Sequence, residues 1–233
     1  MSTSEASRWD AQAEEYDRAY DDPGRRGRLV RARLMAALEL LGPEPGRVLD
    51  AGMGGGRLAE ELAARGWTVS GADVSASMVS LARRRVPASA DALVVAAIER
   101  LPFADRSFDA VTALGVLEFA DDVATAMREL ARVLREDGLA VVSWPNFGGL
   151  PAAWRGGVVY PLARVAKRVV PVGRPVPPPA RIRLDAARFT GLLRAAGLAP
   201  NAEVLIDSRG RSVGAPRGHL LAAQIVVRAS ART

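Results

Sequence analysis

The residues that could do chemistry cluster in one stretch, "RVLDAGMGGGRLAEEL", which begins at Arg47, and in "SGADVS", whose Asp73 lies 23 residues beyond Asp50. Gly52, Gly54, Gly55 and Gly56 follow directly on an apolar run. Glycine weakens a helix by about 1 kcal/mol per position, so this density points to unusual dihedrals or to a backbone that a ligand approaches closely. A helix beginning just after such a turn offers free N–H groups. An acid at the end of the next strand can accept hydrogen bonds from both hydroxyls of a ribose. Asp50, the glycines and Asp73 therefore predict a site for a nucleoside-containing ligand. A tight strand-to-helix turn with no ligand is the competing reading of the glycines alone.

The spacing narrows the ligand. G-x-G-x-x-G counted from Gly52 needs a glycine where Arg57 stands; counted from Gly54 it reaches Ala59, which the relaxed dinucleotide form accepts. The pattern that fits fully is acid-x-Gly-x-Gly-x-Gly over Asp50, Gly52, Gly54 and Gly56. No G-x-x-x-x-G-K-[ST] occurs, which excludes a phosphate-cradling P-loop.

The elements that must position these residues alternate. Apolar runs at 47–50, 67–73, 93–97, 108–114 and 139–144 read as strands, the last two continuous enough to be covered on both faces. Helical periodicity falls between them at 58–65, 77–85 and 122–135. Two helices, 7–20 and 25–41, precede the first strand. A helix at 186–196 and strands at 202–206 and 220–228 close the chain as a hairpin. Alternating strand and helix predict an α/β fold, doubly wound around a mostly parallel sheet of seven strands with a C-terminal antiparallel hairpin. Ligands of such sheets sit at the carboxyl ends of the strands, where the glycine turn falls. The expected organisation is a helical cap over 1–45, a nucleoside-binding core over 46–144, an inserted lid or substrate segment over 145–184, and a helix and hairpin over 185–233.

The chain has 233 residues, 49% hydrophobic and 25% charged, enough for one sizeable core. It has no Cys, which excludes disulfides and thiolate metal sites and fits a cytoplasmic protein. The polar, acidic start lacks the basic and apolar parts of a secretory signal. No apolar run approaches the roughly 20 residues of a membrane span. Residues 151–233 hold 14 basic and 3 acidic side chains, whereas residues 1–150 hold 18 and 23. The excess fits an anionic partner, although solvated surface arginines account for it equally well; Lys167 is the sole lysine.

The blocks "VLDAGMGGGR", "GADVSASMVSLAR", "ERLPFADRSFDAVTALGVLEF", "ELARVLREDGLAVVSWPN" and "FTGLLRAAGLAP" together resemble the class I S-adenosylmethionine-dependent methyltransferases, above all the small-molecule, ubiquinone-biosynthesis-like (type 11) subgroup. The resemblance covers about residues 9–200 and implies a Rossmann-like fold with S-adenosyl-L-methionine as cofactor. It implies that Gly52, Gly54 and Gly56 pass under the methionine part, with Asp50 holding the turn or the amino group. Asp73 would grip the ribose, Val74 and Met78 would flank the adenine, and Ile98 and Glu99 would lie at its edge. Leu114 and Gly115 would line the cofactor from the fourth strand. Tyr16 matches the "YD" of an N-terminal helix that closes over it. Two departures stand out. Ala97 replaces an acid common before the adenine edge, and Glu118–Phe119 replaces an "EH" whose His can deprotonate the acceptor.

Methyl transfer from a sulfonium is an in-line displacement in which alignment supplies much of the rate, and a base is needed only for a weakly acidic acceptor. Glu118, just past the fourth strand, and His219, the sole histidine, are the candidate bases; His219 reads equally as a loop residue. Asp121 and Asp122 read as a helix cap rather than a metal pair, and no metal site is expected. The partner is a small-molecule acceptor. Nucleic acid is not expected, because aromatics are 5% and the Asn/Asp-Pro-Pro-aromatic tetrapeptide of base modifiers is missing. "YPLARVAKRVV" in the inserted segment reads as a lid helix or as a short interfacial helix giving at most peripheral membrane contact. The alternatives are a membrane-associated lipid or quinone methyltransferase, a non-catalytic nucleoside-binding module and a dehydrogenase.

Overall fold

Strand β1 (Arg47–Ala51) explains the layering of the molecule, because consecutive residues of a strand face opposite ways. Val48 packs with α2 (Arg25–Leu41) and α3 (Arg57–Ala64) on one face, in a cluster with Leu38, Leu41, Leu58 and Leu62. Leu49 packs on the other with α5 (Val123–Val133) and α6 (Ala186–Ala195), among Met127, Leu130, Phe189 and Leu193. The remaining strands are β2 (Thr68–Asp73), β3 (Leu93–Val95), β4 (Phe108–Ala113), β5 (Leu134–Pro145), β6 (Leu198–Asp207) and β7 (Ala222–Ala231). The coordinates are a computed structural model, and the structure describes residues 3–146, 184–207, 209–213 and 222–231.

The seven strands lie in the order β3-β2-β1-β4-β5-β7-β6. The pairings β1 to β2, β1 to β4, β2 to β3 and β4 to β5 are parallel; β7 runs antiparallel to both β5 and β6. This is the doubly wound sheet and terminal hairpin expected from the sequence. The chain winds outward in opposite senses from β1 and β4, so the switch point lies between their carboxyl ends, where Asp50 pairs with Thr112 across the ladder.

Three differences from the sequence reading have a clear physical cause. Helix α5 ends at Val133 rather than at 135, because buried Leu134 leaves the helix in extended conformation to pair with Phe108. The "EDG" at 136–138 is a bulge within β5: Asp137 has φ 61°, and the register passes from Phe108–Leu134 to Ala110–Leu139. β6 begins at Leu198 rather than 202, since Pro200 occupies an edge strand beside a register shift, where the missing N–H does no harm. Residues 147–183 of the inserted segment, which include "YPLARVAKRVV", lie outside the described residues.

Helix α1 (Thr3–Arg18) does not join the two main layers; it packs against α4 (Ala76–Arg85) at the carboxyl edge of the sheet. Two polar contacts hold it there. Asp10 accepts from the Ser75 hydroxyl at 2.6 Å and from the Ser77 N–H at 3.0 Å. Asp17 accepts from Arg57 at 3.1 Å and from Arg85 at 2.8 Å, and these hydrogen bonds and charges outweigh its burial and keep its carboxyl below the usual range.

At the other end of the sheet, Phe189 stacks on Trp144 with ring centroids 5.3 Å apart, and both are fully buried. The Trp144 indole N–H donates to the Leu184 carbonyl at 3.2 Å, fixing the entry to α6. Phe189→Ala is expected to lower the unfolding free energy by about 3–5 kcal/mol, measured as an earlier midpoint in urea with an unchanged slope.

Candidate functional site

A cleft opens over the switch point. Its outer lobe, about 520 Å³ including the mouth, is lined by Gly52, Gly54, Asp73, Val74, Met78, Ala96, Ile98, Leu114, Gly115 and Val116, with Trp9, Tyr16 and Phe119 above. An inner lobe of about 410 Å³ shares Tyr16, Gly52, Gly54 and Leu114 with it and adds Tyr20, Arg33, Asp50, Gly55 and Arg57. The lobes thus meet across the glycine turn.

The turn takes its shape from backbone hydrogen bonds. Gly52 and Met53 donate their N–H groups to the Ala72 carbonyl at 2.7 and 3.2 Å, and Gly54 donates to Asp73 Oδ2 at 2.9 Å. Gly52 has φ 74°, and a Cβ built on it would fall 2.5 Å from the Val116 side chain. Gly54 has φ 54° but only open space around it, its nearest neighbours Tyr16 and Met78 lying 3.8 and 3.9 Å from a built Cβ. That bare stretch is where a ligand can lie on backbone.

The two acids are held in different ways. Asp73 accepts from Gly54 N–H and, through Oδ1, from Ser75 N–H at 2.9 Å. Burial pushes its carboxyl up to about 6 against those hydrogen bonds. Each carboxylate oxygen has two acceptor sites, so capacity remains for hydroxyl donors. Asp50 is 2% exposed; its Oδ1 accepts from the Thr112 hydroxyl at 2.8 Å, whereas Oδ2 has no hydrogen-bond partner among the described residues. Burial, with a contribution from Asp73, raises its carboxyl to about 7. An orphaned buried carboxylate oxygen at the wall of a cleft fits a cationic or N–H-bearing ligand group.

The site brings together Tyr16, Asp50, Gly52, Gly54, Asp73, Val74, Met78, Ile98, Leu114 and Gly115. Three expected residues stand elsewhere. Gly56 lines neither lobe; at φ 81° it begins α3, and its Cα packs on α4, where a built Cβ would meet Ala82 Cβ at 2.9 Å. Glu99 lines neither lobe and accepts from the Asp121 N–H at 2.8 Å. Glu118 is buried and lines neither lobe. His219 lies outside the described residues. Asp122 caps α5 as expected, accepting from Ala124 and Thr125 N–H groups and the Thr125 hydroxyl.

Sequence reasoning missed Arg33, Trp9 and Phe119. Arg33 had a signal: it sits between Val30 and Ala37 on the buried stripe of α2, where a charge has no bland explanation. It is 6% exposed and donates to the Tyr16 hydroxyl at 3.3 Å. Burial acts to lower its pKa, but Tyr16, Tyr20 and Glu118 outweigh that and hold it firmly charged. Trp9 makes edge-to-face contacts with Tyr16 (5.6 Å) and Phe119 (5.2 Å), a joint between α1 and the turn after β4 that only the fold creates.

Residues 49–142 match the family described as a methyltransferase domain. The chain is 38% identical over 136 residues to a demethylmenaquinone methyltransferase of Beutenbergia cavernae, covering 55% of this chain and 56% of that protein. It is 36% identical over 143 residues to a malonyl-[acyl-carrier protein] O-methyltransferase of Halorhodospira halophila, covering 60% and 46%. The chain therefore spans about half the length of these curated relatives. In fold it is similar over 96% of its length to a possible histamine N-methyltransferase from Thermotoga maritima, which is covered over 98% (TM-score 0.70, 19% identity). It is also similar over 99% of both chains to the magnesium protoporphyrin IX methyltransferase of Synechocystis, solved with S-adenosylhomocysteine bound (TM-score 0.70, 16% identity).

The glycines divide into a packing position and a cleft position, which substitution will separate. Gly56→Ala is expected to cost about 1–3 kcal/mol of stability through strain and collision with α4. Gly54→Ala is expected to cost only the left-handed backbone, about 1 kcal/mol, with thermal unfolding monitored for both.

Proposed function

We propose that the chain is a class I S-adenosylmethionine-dependent methyltransferase of the type 11 subgroup and that it moves a methyl group from S-adenosylmethionine to an O, N or C atom of a small-molecule acceptor. The observation that carries the reading is the pair of acids, buried Asp50 and half-buried Asp73, on either side of a bare glycine turn in one continuous cleft.

The residues divide the ligand between the lobes. Asp73, with its oxygens oriented by Gly54 and Ser75, receives the ribose hydroxyls. Val74, Met78, Ala96 and Ile98 form the apolar slot for adenine. Ala97 offers no side-chain acceptor, which leaves recognition of the adenine edge to backbone groups or water. In the inner lobe Asp50, with its orphaned Oδ2, takes the ammonium, and Arg33 takes the carboxylate. Gly115 and Leu114 floor the cleft between them, while Trp9 and Tyr16 cover it and keep out water. When bound, S-adenosylmethionine supplies an electrophilic methyl on a positively charged sulfur.

The chain's own part in the chemistry is alignment. An acceptor with a free lone pair or an acidic proton needs no base from the protein, and Glu118 lines neither lobe of the cleft. The segment 145–184 is assigned to acceptor binding, and the basic excess of residues 151–233 favours an acceptor bearing carboxylate or phosphate. A cytoplasmic setting without a nucleic-acid partner completes the reading. No helix among the described residues is long and apolar enough to cross a membrane.

Calorimetry tests the donor site: S-adenosylmethionine is expected to bind and NAD is not. Asp73→Ala is expected to weaken donor binding about tenfold to a hundredfold, as hydrogen bonds to a charged group are worth about 1.5–3 kcal/mol. The pH dependence follows from the two acids. The donor needs both carboxylates ionised, and protons compete for them at about 7 (Asp50) and about 6 (Asp73), so affinity should rise from acid pH and level off above pH about 8. A donor affinity independent of pH over that window would count against the assignment.

A further inference from the structure

The two acids of the cleft are anchored differently. Backbone N–H groups of Gly54 and Ser75 hold Asp73, one on each oxygen. Among the described residues the carboxylate of Asp50 has a single hydrogen bond, and it comes from a side chain: the Thr112 hydroxyl on Oδ1 at 2.8 Å. The other acceptor near that hydroxyl, the Leu49 carbonyl, is 3.4 Å away. A hydroxyl has one proton to give, and the shorter contact with a carboxylate takes it.

Thr112 differs from its surroundings. It is fully buried in β4 and pairs with Asp50 across the ladder, so both side chains leave the same face of the sheet, the one covered by α2 and α3. Val48 and Ala110, the pair two residues earlier on that face, are apolar, and so is Val141, the partner of Thr112 on β5. Valine has the shape of threonine and would serve strand and packing alike, whereas a buried hydroxyl is unfavourable there unless it is hydrogen-bonded. The hydroxyl therefore adds only its bond to Asp50.

That bond decides how the carboxylate stands. The last torsion of an aspartate is broad, so tying down Oδ1 sets the plane of the group and leaves Oδ2 as the free acceptor. The charged and titratable groups that face Asp50 are Asp73 from β2, Arg33 from α2 and Tyr20 from the turn after α1. Arg57 of α3 lines the same lobe but is engaged by Asp17 and Asp21. A carboxylate free to turn is drawn toward Arg33, the cation assigned to the donor's own carboxylate. Accepting the assignment of Asp50 to the donor's ammonium, we infer that Thr112 is a positioning residue for the donor: its hydroxyl occupies one oxygen of Asp50 and so presents the other to the ammonium. It acts through Asp50 alone. The nucleoside end of the ligand, held by Asp73 and the adenine slot, does not depend on it. The same hydrogen bond favours the ionised carboxylate against the burial that opposes it.

The test compares two ligands that differ only at the amino-acid end. S-adenosylhomocysteine and methylthioadenosine are titrated calorimetrically into the wild-type chain and into Thr112→Val, which removes the hydroxyl at nearly constant volume. Methylthioadenosine keeps the nucleoside and the thioether and lacks the ammonium and the carboxylate. The variant is expected to bind S-adenosylhomocysteine about tenfold more weakly and methylthioadenosine as the wild type does. Thr112→Ser, which keeps the hydroxyl, is expected to restore the affinity. In Thr112→Val the pH at which S-adenosylhomocysteine affinity levels off is expected to rise by about one unit, because a carboxyl that loses a hydrogen bond to its charged form holds its proton more tightly. Equal losses for the two ligands, no loss, no recovery with serine, or an unmoved pH profile overturns the inference and leaves the donor site standing. Failure of S-adenosylhomocysteine to bind the wild type overturns the donor site itself, and the inference with it. Thr112→Ala, which cannot crowd the strand, carries the same comparison if the valine variant does not fold.

Discussion

The carboxylate of Asp73 is the point on which the cleft depends. Its two oxygens receive N–H groups from opposite sides, Gly54 in the turn after β1 and Ser75 at the start of α4. Charged hydrogen bonds of this kind are worth about 1.5–3 kcal/mol each, enough to hold a glycine-rich turn that has little preference of its own. Ser75 extends the chain of contacts: its hydroxyl caps α4 by accepting from Met78 N–H and donates to Asp10 on α1. One side chain at the end of β2 therefore sets the floor of the cleft, the helix beside it and, at one remove, the helix above it.

The arrangement works against the stability of the empty protein. Asp50 and Glu118 leave carboxylate oxygens buried without partners, and beyond what burial alone does Asp73 raises the hold of Asp50 on its proton and Asp10 that of Asp73. Their folded-state pKa values lie above those of an unfolded chain, so they favour folding at low pH and lose that contribution as pH rises through about 6 and 7. Compensation comes from ion pairs at the rim, where Asp17 joins Arg57 and Arg85 and fastens α1 across the glycine turn. Those pairs are shielded enough to keep Asp17 ionised below the usual range. The sheet beneath, with its continuous apolar layers, carries the cost of the site.

The fold was legible because the apolar patterning of the sheet is strong: near-continuous runs at β4 and β5 and clear helical spacing at α5 leave few arrangements open. What escaped was local. Leu134 prefers a strand partner to a further turn of helix, a preference set by Phe108 and invisible in the helical spacing of 122–135. Within the site, Asp50, Gly54 and Asp73 were readable because a single turn brings them together. Spacing cannot distinguish a glycine that admits a ligand from one that, like Gly56, lies against a neighbouring helix. Arg33 and Trp9 come from helices far away in sequence, so no local spacing joins them to the turn. Only the charge of Arg33 on an apolar stripe could have raised the question.

That division separates what is shared from what belongs to this chain. The family match spans 49–142 and contains both acids, the glycine turn, the adenine slot and Glu118. Arg33, Tyr16 and Trp9, which close the inner lobe and cover the outer one, precede it. The shared region thus supplies acceptors for hydroxyls and ammonium, which any nucleoside-linked amino acid would engage, whereas the compensating cation and the cover are contributed by α1 and α2. A guanidinium brought in from outside has to be placed by contacts the shared region provides. The bare Gly115 backbone against Arg33 is such a contact: at φ 70°, without a Cβ, it lets a cation from a separate helix reach a cleft the sheet had already built.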